Sequence, residues 1–332
     1  MSNVTINDIA DAAMVSKSTV SRVLNGTAEV SADKKQAVLE AVRRLGFQPS
    51  VIARSLSSGT SMTIGVMTQL IGSSFYDSIS QGVISGLTGS GYSPIFVDGQ
   101  WQELESVDGI RALLGRRVDG LIMIGGNVPR DAVAELGGNL PVIFVARHFD
   151  GHQSVSMDNV KASGEAVKFL AENGHRRIVL VQGLPHHPDA IARLQGYRLA
   201  LEEVGLPCDE DLILDGDFTS DAGIRAVKKL LAAGTDFTAI FAANDRTAFG
   251  VTLALTQAGL RVPEDVSVVG FDDQLEAQYM VPPLTTVRQP GREMGEMAAR
   301  AILSKLNDEE PELKTLQGEL IIRDSVTVAR KP

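Results

Sequence analysis

The chain has 332 residues, a formal net charge of −10, 44% hydrophobic and 22% charged residues, and a single cysteine, Cys208. That length suffices for two or three units with their own cores, and the balance is that of a folded, water-soluble protein. One cysteine excludes an internal disulfide and a Cys-rich metal site; with no run of about 18 apolar residues and no basic-then-apolar leader, neither a membrane span nor export is expected, which assigns the chain to the cytoplasm.

Charge is unevenly spread: residues 1–60 hold seven Lys or Arg against five Asp or Glu, a net of +2, and leave −12 for the remainder. Such asymmetry points to a small module with a partner of its own. Helical spacing and caps divide this module into three helices. Thr5 followed by Asp8 forms a capping-box pattern, with Ile6, Ile9, Ala10 and Ala13 on one face. A second helix starts near Ser16, turns Val20, Val23 and Leu24 inward, and ends before Asn25-Gly26. A third runs from Ser31 to about Leu45, with Val38, Leu39, Val42 and Leu45 on one side and Gly46 as its stop.

Only Ala13-Met14-Val15 separates the first two helices, the spacing of a helix-turn-helix. Stepping around the second helix puts Lys17, Ser18, Ser21, Arg22 and Asn25 opposite the valines, with Thr19 at the margin. Eight residues make a helix roughly 12 Å long, which a DNA major groove about 12 Å wide admits. A solvated face is the bland alternative; the cap, the tight turn, the third helix and the local charge together favour DNA. Beyond Pro49, Ile52, Ala53 and Leu56 share one side of two helical turns before the flexible Ser57–Ser61, a segment that is either a plain linker or a hinge helix formed against DNA.

The stretches "TINDIADAAMVSKSTVSRVLNG", "VSADKKQAVLEAVRRLGFQPS" and "IARSLSSG" resemble the DNA-binding head and hinge of the LacI/GalR family of repressors. One departure is Ser50, where the family usually has Asn after the proline. The resemblance implies base-edge contacts from Lys17, Ser18 and Arg22, mainly backbone contacts from Thr5, Ser16, Thr19, Ser21 and Asn25, and insertion of Ala53 and Leu56 into the minor groove.

From Met62 onward, short apolar runs ("TIGVMT", "SPIFVD", "DGLIMIG", "PVIFVA", "RIVLVQG", "TAIFAAND", "VSVVGFDD") alternate with helical stretches such as 76–90, 160–173, 188–204, 220–233 and 245–258. Nearly continuous hydrophobicity is what strands buried on both faces require. The fold class is therefore α/β: a helix-turn-helix head on a two-lobed, doubly wound parallel-sheet body of periplasmic-binding-protein-like type. The divisions are 1–48 for the head, 49–61 for the hinge and 62–332 for the body, with lobe 1 at about 62–158 plus 288–318 and lobe 2 at about 159–287 plus 319–330. That "LTTVRQP" and "LQGELIIRDSVTVA" cross back to complete the sheets is implied by the resemblance.

Ligands of open α/β sheets bind beyond the carboxyl ends of strands. Asn244-Asp245, Asp272-Asp273 and the loop leading to Arg193 lie there, each with helix capping as its alternative role. Motifs such as "FAANDRTAFG" and "PPLTTVRQP" extend the resemblance over the whole chain. It implies effector contacts from Arg193, Asn244, Asp272 and Phe218, with Phe75 and Arg147 beside them.

No GxGxxG after a strand, GxxxxGK[ST], HExxH or GxSxG occurs, and His186-His187 lacks the neighbours of a metal site, so no enzyme, cofactor or metal is expected. The expectation is a homodimeric repressor of carbohydrate-utilisation genes, released from a pseudopalindromic operator by a sugar or glycoside. A regulator answering to a nucleobase or nucleoside, or using its ligand as corepressor, is the alternative.

Overall fold

The computed structural model describes residues 4–25, 30–47, 59–126, 140–147 and 152–330. The chain divides into two compact units, Met1–Ser61 and Met62–Pro332.

In the first unit, helices α1 (Ile6–Ala12), α2 (Lys17–Asn25) and α3 (Ala32–Leu45) bury Ile9, Ala10, Val20, Val38 and Ala41 against one another. Both halves of the capping box form: Thr5 N donates to Asp8 Oδ2 at 2.7 Å and Asp8 N to Thr5 Oγ1 at 3.4 Å. Gly46 ends α3 in the left-handed region, φ 62°. Two expected core residues lie outside. Ile6 is 36% exposed because it sits in the first turn of a seven-residue helix, and Leu39 is 38% exposed because it lies one residue past the Val38–Ala41 face.

The body carries two sheets. The first holds β1 (Thr63–Thr68), β2 (Ser93–Asp98), β3 (Gly120–Ile124), β4 (Val142–Val145) and β5 (Gln153–Val155), all parallel, in the order β2-β1-β3-β4-β5. The second holds β6 (Ile178–Val181), β7 (Ile213–Leu214), β8 (Ala239–Ala242), β9 (Ser267–Asp272), β10 (Thr285–Arg288) and β11 (Glu319–Ile321), in the order β11-β10-β9-β8-β6-β7. Only β11 is antiparallel to its neighbour. β2 is an edge strand and only half-buried, so its apolar run does not mark a strand covered on both faces. β5 and β7 are too short to leave a periodic signal. Both late segments join the second sheet; the element that returns to the first lobe is the helix between them.

Helices α4 (Ser74–Leu87), α5 (Glu103–Gly115) and α10 (Gly291–Leu306) flank the first sheet, and α6 (Asn159–Glu172), α7 (Pro188–Glu203), α8 (Ser220–Ala232) and α9 (Asp245–Gln257) the second. α4 and α10 touch backbone to backbone. A Cβ on Gly82 would lie 2.1 Å from the Arg292 carbonyl oxygen, and one on Gly295 2.0 Å from that of Ile79. Gly223 and Gly250 allow the same approach between α8 and α9. The chain passes between the lobes after Met157, after β10 and after Leu316. The first and last passages are bonded side by side, Asp158 N to Leu316 O at 3.0 Å and Leu316 N to Ser156 O at 2.9 Å. Among the described residues no helix is long and apolar enough to cross a membrane.

Candidate functional site

In the first unit, Lys17, Ser18 and Arg22 are exposed on α2 while Val20 is fully buried beneath them; Thr19 and Ser21 are half-buried at the margins. The Ser16 hydroxyl accepts from Thr19 N at 3.2 Å, capping the helix, and meets the Ser18 and Thr19 hydroxyls at 2.8 and 2.9 Å. Thr5 is exposed and holds the cap of α1. The helix includes Asn25 rather than ending before it; that side chain, Ala53 and Leu56 lie outside the described residues. What the face offers is a short row of hydroxyls between two cations.

The body has a cavity of about 250 Å³ between the carboxyl ends of the two sheets, near the lower end of the roughly 300–1,000 Å³ of small-molecule sites. Its floor is polar and deeply buried. Arg193, reaching up from α7, donates from Nε to Asn159 Oδ1 at 3.0 Å and from Nη1 to the Ala243 carbonyl, and lies 3.7 Å over the Phe271 ring. Asp272 and Asp189 stand 3.9 Å on either side of its guanidinium. Asp272 ends β9 with φ 119°, a conformation that turns its carboxylate into the cavity, where Gln289 donates at 2.7 Å and Gln274 at 3.2 Å. Burial pushes both the Asp189 and Asp272 carboxyls above their ordinary range, with Arg193 acting against it.

The walls are aromatic. Phe75, Tyr76, Trp101, His187 and Phe218 form a run of edge-to-face contacts with ring centres 5.0–5.9 Å apart. Phe218 has φ 65°, and its ring packs on Gly183, where a Cβ would lie 2.0 Å from it. Trp101 follows Gln100 in a turn where both residues are left-handed, φ 50° and 60°; each such non-glycine residue stores of order 1–3 kcal/mol. Gln69 Oε1 accepts from Trp101 N at 3.1 Å and Asp98 Oδ1 from Gln100 N at 2.9 Å, which holds the turn in place. Burial, with Arg193 and Arg147 nearby, brings the His187 imidazole down to about 4, so at neutral pH it is an uncharged ring. Its Nδ1 accepts from Asp189 N at 3.2 Å as the cap of α7, which places the proton on Nε2.

Five of the six side chains singled out for a ligand therefore meet in one cavity: Arg193, Asp272, Phe218, Phe75 and Asn244. Asn244 is also the cap of α9, its Oδ1 accepting from Thr247 N at 2.9 Å, so capping and lining coincide. Arg147 lines an adjoining pocket, which shares Asp189 and Gln289 with the main one. Asp273 turns away to Arg288 and Arg323, at 2.8 and 2.6 Å. Asp245 is fully buried under the floor, accepting from Gln274 N and the Thr286 hydroxyl, and its carboxyl is pushed well up by burial and by Asp272. Sequence reasoning missed Trp101, Asp189, Gln274 and Gln289 as lining residues. A signal was present for two of them: Trp101 is the only tryptophan, just past a strand, and Gln289 follows β10 directly.

Two family profiles match the chain: "Bacterial regulatory proteins, lacI family" over residues 5–50 and "Periplasmic binding protein-like domain" over residues 167–326. Catabolite control protein A of Priestia megaterium is 37% identical over 311 residues, 92% of this chain and 94% of that protein. The HTH-type transcriptional repressor PurR of Vibrio cholerae is 34% identical over 328 residues, 97% of this chain and 98% of that one. Among solved structures, the lac repressor dimer bound to operator and the anti-inducer ONPF superposes with a TM-score of 0.88 at 28% identity, covering 98% of this chain and all of that one. The complex of the transcriptional regulator CelR with cellobiose gives 0.73 at 32% identity, covering 97% and 99%.

Proposed function

Since the chain belongs to the lacI family of bacterial regulatory proteins, we propose that it is a repressor of carbohydrate-utilisation genes that a small sugar or glycoside releases from a pseudopalindromic operator. The observation that carries this is the cavity itself. A guanidinium, a carboxylate and three amides at its floor suit the paired hydroxyls of a sugar, and its aromatic walls suit the apolar face of a pyranose. The titratable floor and rim hold Asp189, Asp217 and Asp272 against Arg193 and Arg246, so they offer no excess of cation for a phosphate.

In this reading Lys17, Ser18 and Arg22 contact base edges, while Thr5, Ser16, Thr19, Ser21 and Asn25 contact the backbone. Ala53 and Leu56 of the hinge, residues 49–61, open the minor groove. The protein works in the cytoplasm as a homodimer, two heads reading two half-sites. Ligand draws lobe 1 (about 62–158 and 288–318) and lobe 2 (about 159–287 and 319–330) into an arrangement that DNA disfavours, and reciprocity requires DNA to weaken ligand binding by the same factor.

The test is a thermal-shift screen of the full-length protein against monosaccharides, disaccharides, glycosides, sugar phosphates and nucleobases, followed by operator release with the hit. A sugar that raises the melting midpoint and frees operator supports the reading, and Asp272→Ala abolishes that release while sparing DNA binding. A second reading, a nucleobase or nucleoside as ligand, is favoured by the PurR relatives and by walls on which a flat base can stack. Stabilisation by nucleobases alone would establish it in place of the first.

A further inference from the structure

The cavity has two chemically different zones at two depths. Arg193, Asp272, Asn244, Gln274 and Gln289 are all buried at its floor, with residue exposures of 8% or less for Arg193, Asn244, Gln274 and Gln289 and a side-chain exposure of 6% for Asp272. Trp101, His187 and Phe218 are half-buried toward its mouth, beside Leu184, which is 39% exposed. One sugar ring satisfies the floor. The mouth adds flat aromatic surfaces, beside the polar Ser73, Asp217, Thr219 and Arg246, that the floor does not have.

Trp101 is the informative residue. It comes from the first lobe and meets His187, from the second, with ring centres 5.0 Å apart. Its turn is strained at two successive residues and clamped by Gln69 and Asp98, and what that turn delivers is the indole at the cavity's edge. Backbone strain that persists under such clamping marks a position whose geometry matters. His187 adds a donor there: Nδ1 is occupied by Asp189 N, and Nε2–H has no partner among the described residues.

Resting on the reading of the cavity as a sugar site, the geometry points to a two-ring ligand. Its sugar ring lies on the floor and its second ring, a further sugar or a flat aglycone, is held at the mouth by Trp101, His187 and Phe218. Trp101 is then the residue that distinguishes such a ligand from a free monosaccharide, with the His187 Nε2–H hydrogen-bonding the linking oxygen or a hydroxyl of the second ring. Nothing covalent occurs; recognition is stacking plus one donor.

Because Trp101 is the only tryptophan, its emission in the unmodified full-length protein reports on the mouth directly. The experiment titrates free glucose, galactose and ribose, their methyl and phenyl glycosides, the corresponding disaccharides, and nucleosides with their free bases, following tryptophan emission and binding heat together. In the series that binds, two-ring members are expected to bind about tenfold tighter than the free sugar, about 1.4 kcal/mol, and to change the emission where the free sugar does not. Trp101→Ala should erase that preference, weakening two-ring members about tenfold more than the free sugar, and Trp101→Phe should keep part of it. A preference below about twofold, or one that survives Trp101→Ala, overturns the proposal while the sugar reading stands. Binding by free bases alone, or by nothing in the panel, overturns both. Binding by nucleosides in preference to both base and ribose, lost in Trp101→Ala, replaces the sugar reading and keeps the two-ring one.

Discussion

Arg193→Met keeps an unbranched stem at a buried position and removes the guanidinium with its charge and donors. In the native protein Arg193 is 3% exposed, donates to Asn159 and to the Ala243 carbonyl, and stands 3.9 Å from each of two carboxylates. Hydrogen bonds to a charged group contribute about 1.5–3 kcal/mol net, and breaking a buried ion pair by removing one partner costs about 3–5 kcal/mol. These terms overlap, so the expected loss near pH 8 is about 3–5 kcal/mol, a fall of roughly 6–20 °C in melting midpoint at about 2–4 °C per kcal/mol. The pH dependence identifies the cause. Burial already holds Asp189 and Asp272 above their ordinary range with Arg193 opposing it, so in the variant both rise further. The folded variant then retains protons that the unfolded chain has released. Its stability therefore falls as pH rises through the raised native values, and the deficit is larger at about pH 8 than at about pH 5. Urea unfolding followed by far-ultraviolet circular dichroism, at one protein concentration, measures both. A deficit under about 1 kcal/mol at pH 8, or equal deficits at the two pH values, would refute the reasoning.

Three further outcomes are expected. Gly295→Ala, whose new methyl would stand 2.0 Å from the Ile79 carbonyl oxygen, should cost about 1–3 kcal/mol or more in a urea melt, whereas an exposed helical glycine replaced by alanine would stabilise. Arg22→Ala should weaken operator binding by about 1–3 kcal/mol per half-site in fluorescence anisotropy; unchanged binding would remove α2 from the groove. His187 sits at about 4 in the folded protein against roughly 6.5 unfolded. Its contribution to stability is thus complete above about pH 6.5 and is lost as pH falls toward 4, so His187→Gln should flatten the acid side of the stability profile. An imidazole resonance of His187 that titrates near 6.5 in the folded protein would contradict this.

The sequence announces what repeats locally. Val20, Val38 and the capping pair Thr5 and Asp8 carry their own periodicity, and the strand cores at Ile64–Met67 and Ile178–Val181 are continuous apolar runs. It is silent where a residue's role depends on a distant partner. Gly82 and Gly295 look like weak points in helices until the two helices are seen to cross at them. Gln274 and Gln289 read as surface amides until Asp272 is placed between them. Trp101 becomes a cavity residue only because two left-handed residues swing it toward His187, and no periodicity encodes a positive φ at tryptophan. Ile6 and Leu39 err in the opposite direction: apolar spacing says which residues share a face, and the size of the neighbouring helix says how much of that face is covered.

The partnership of α4 with α10 also bears on how the chain is made. α4 ends at Leu87 and α10 begins at Gly291, a separation of roughly 200 residues, which a ribosome spans in about 10–40 s at 5–20 residues per second. From Val155, where the first lobe's last strand ends, until Gly291 that sheet stands without the helix that covers β3 and β4, and the second lobe's α8 and α9 are complete before that helix begins. Both sheets thus wait on the last forty or so residues, the first for α10 and the second for β11, and a nascent chain stopped before Gly291 exposes an apolar sheet face that only chaperones or its own missing helix can cover.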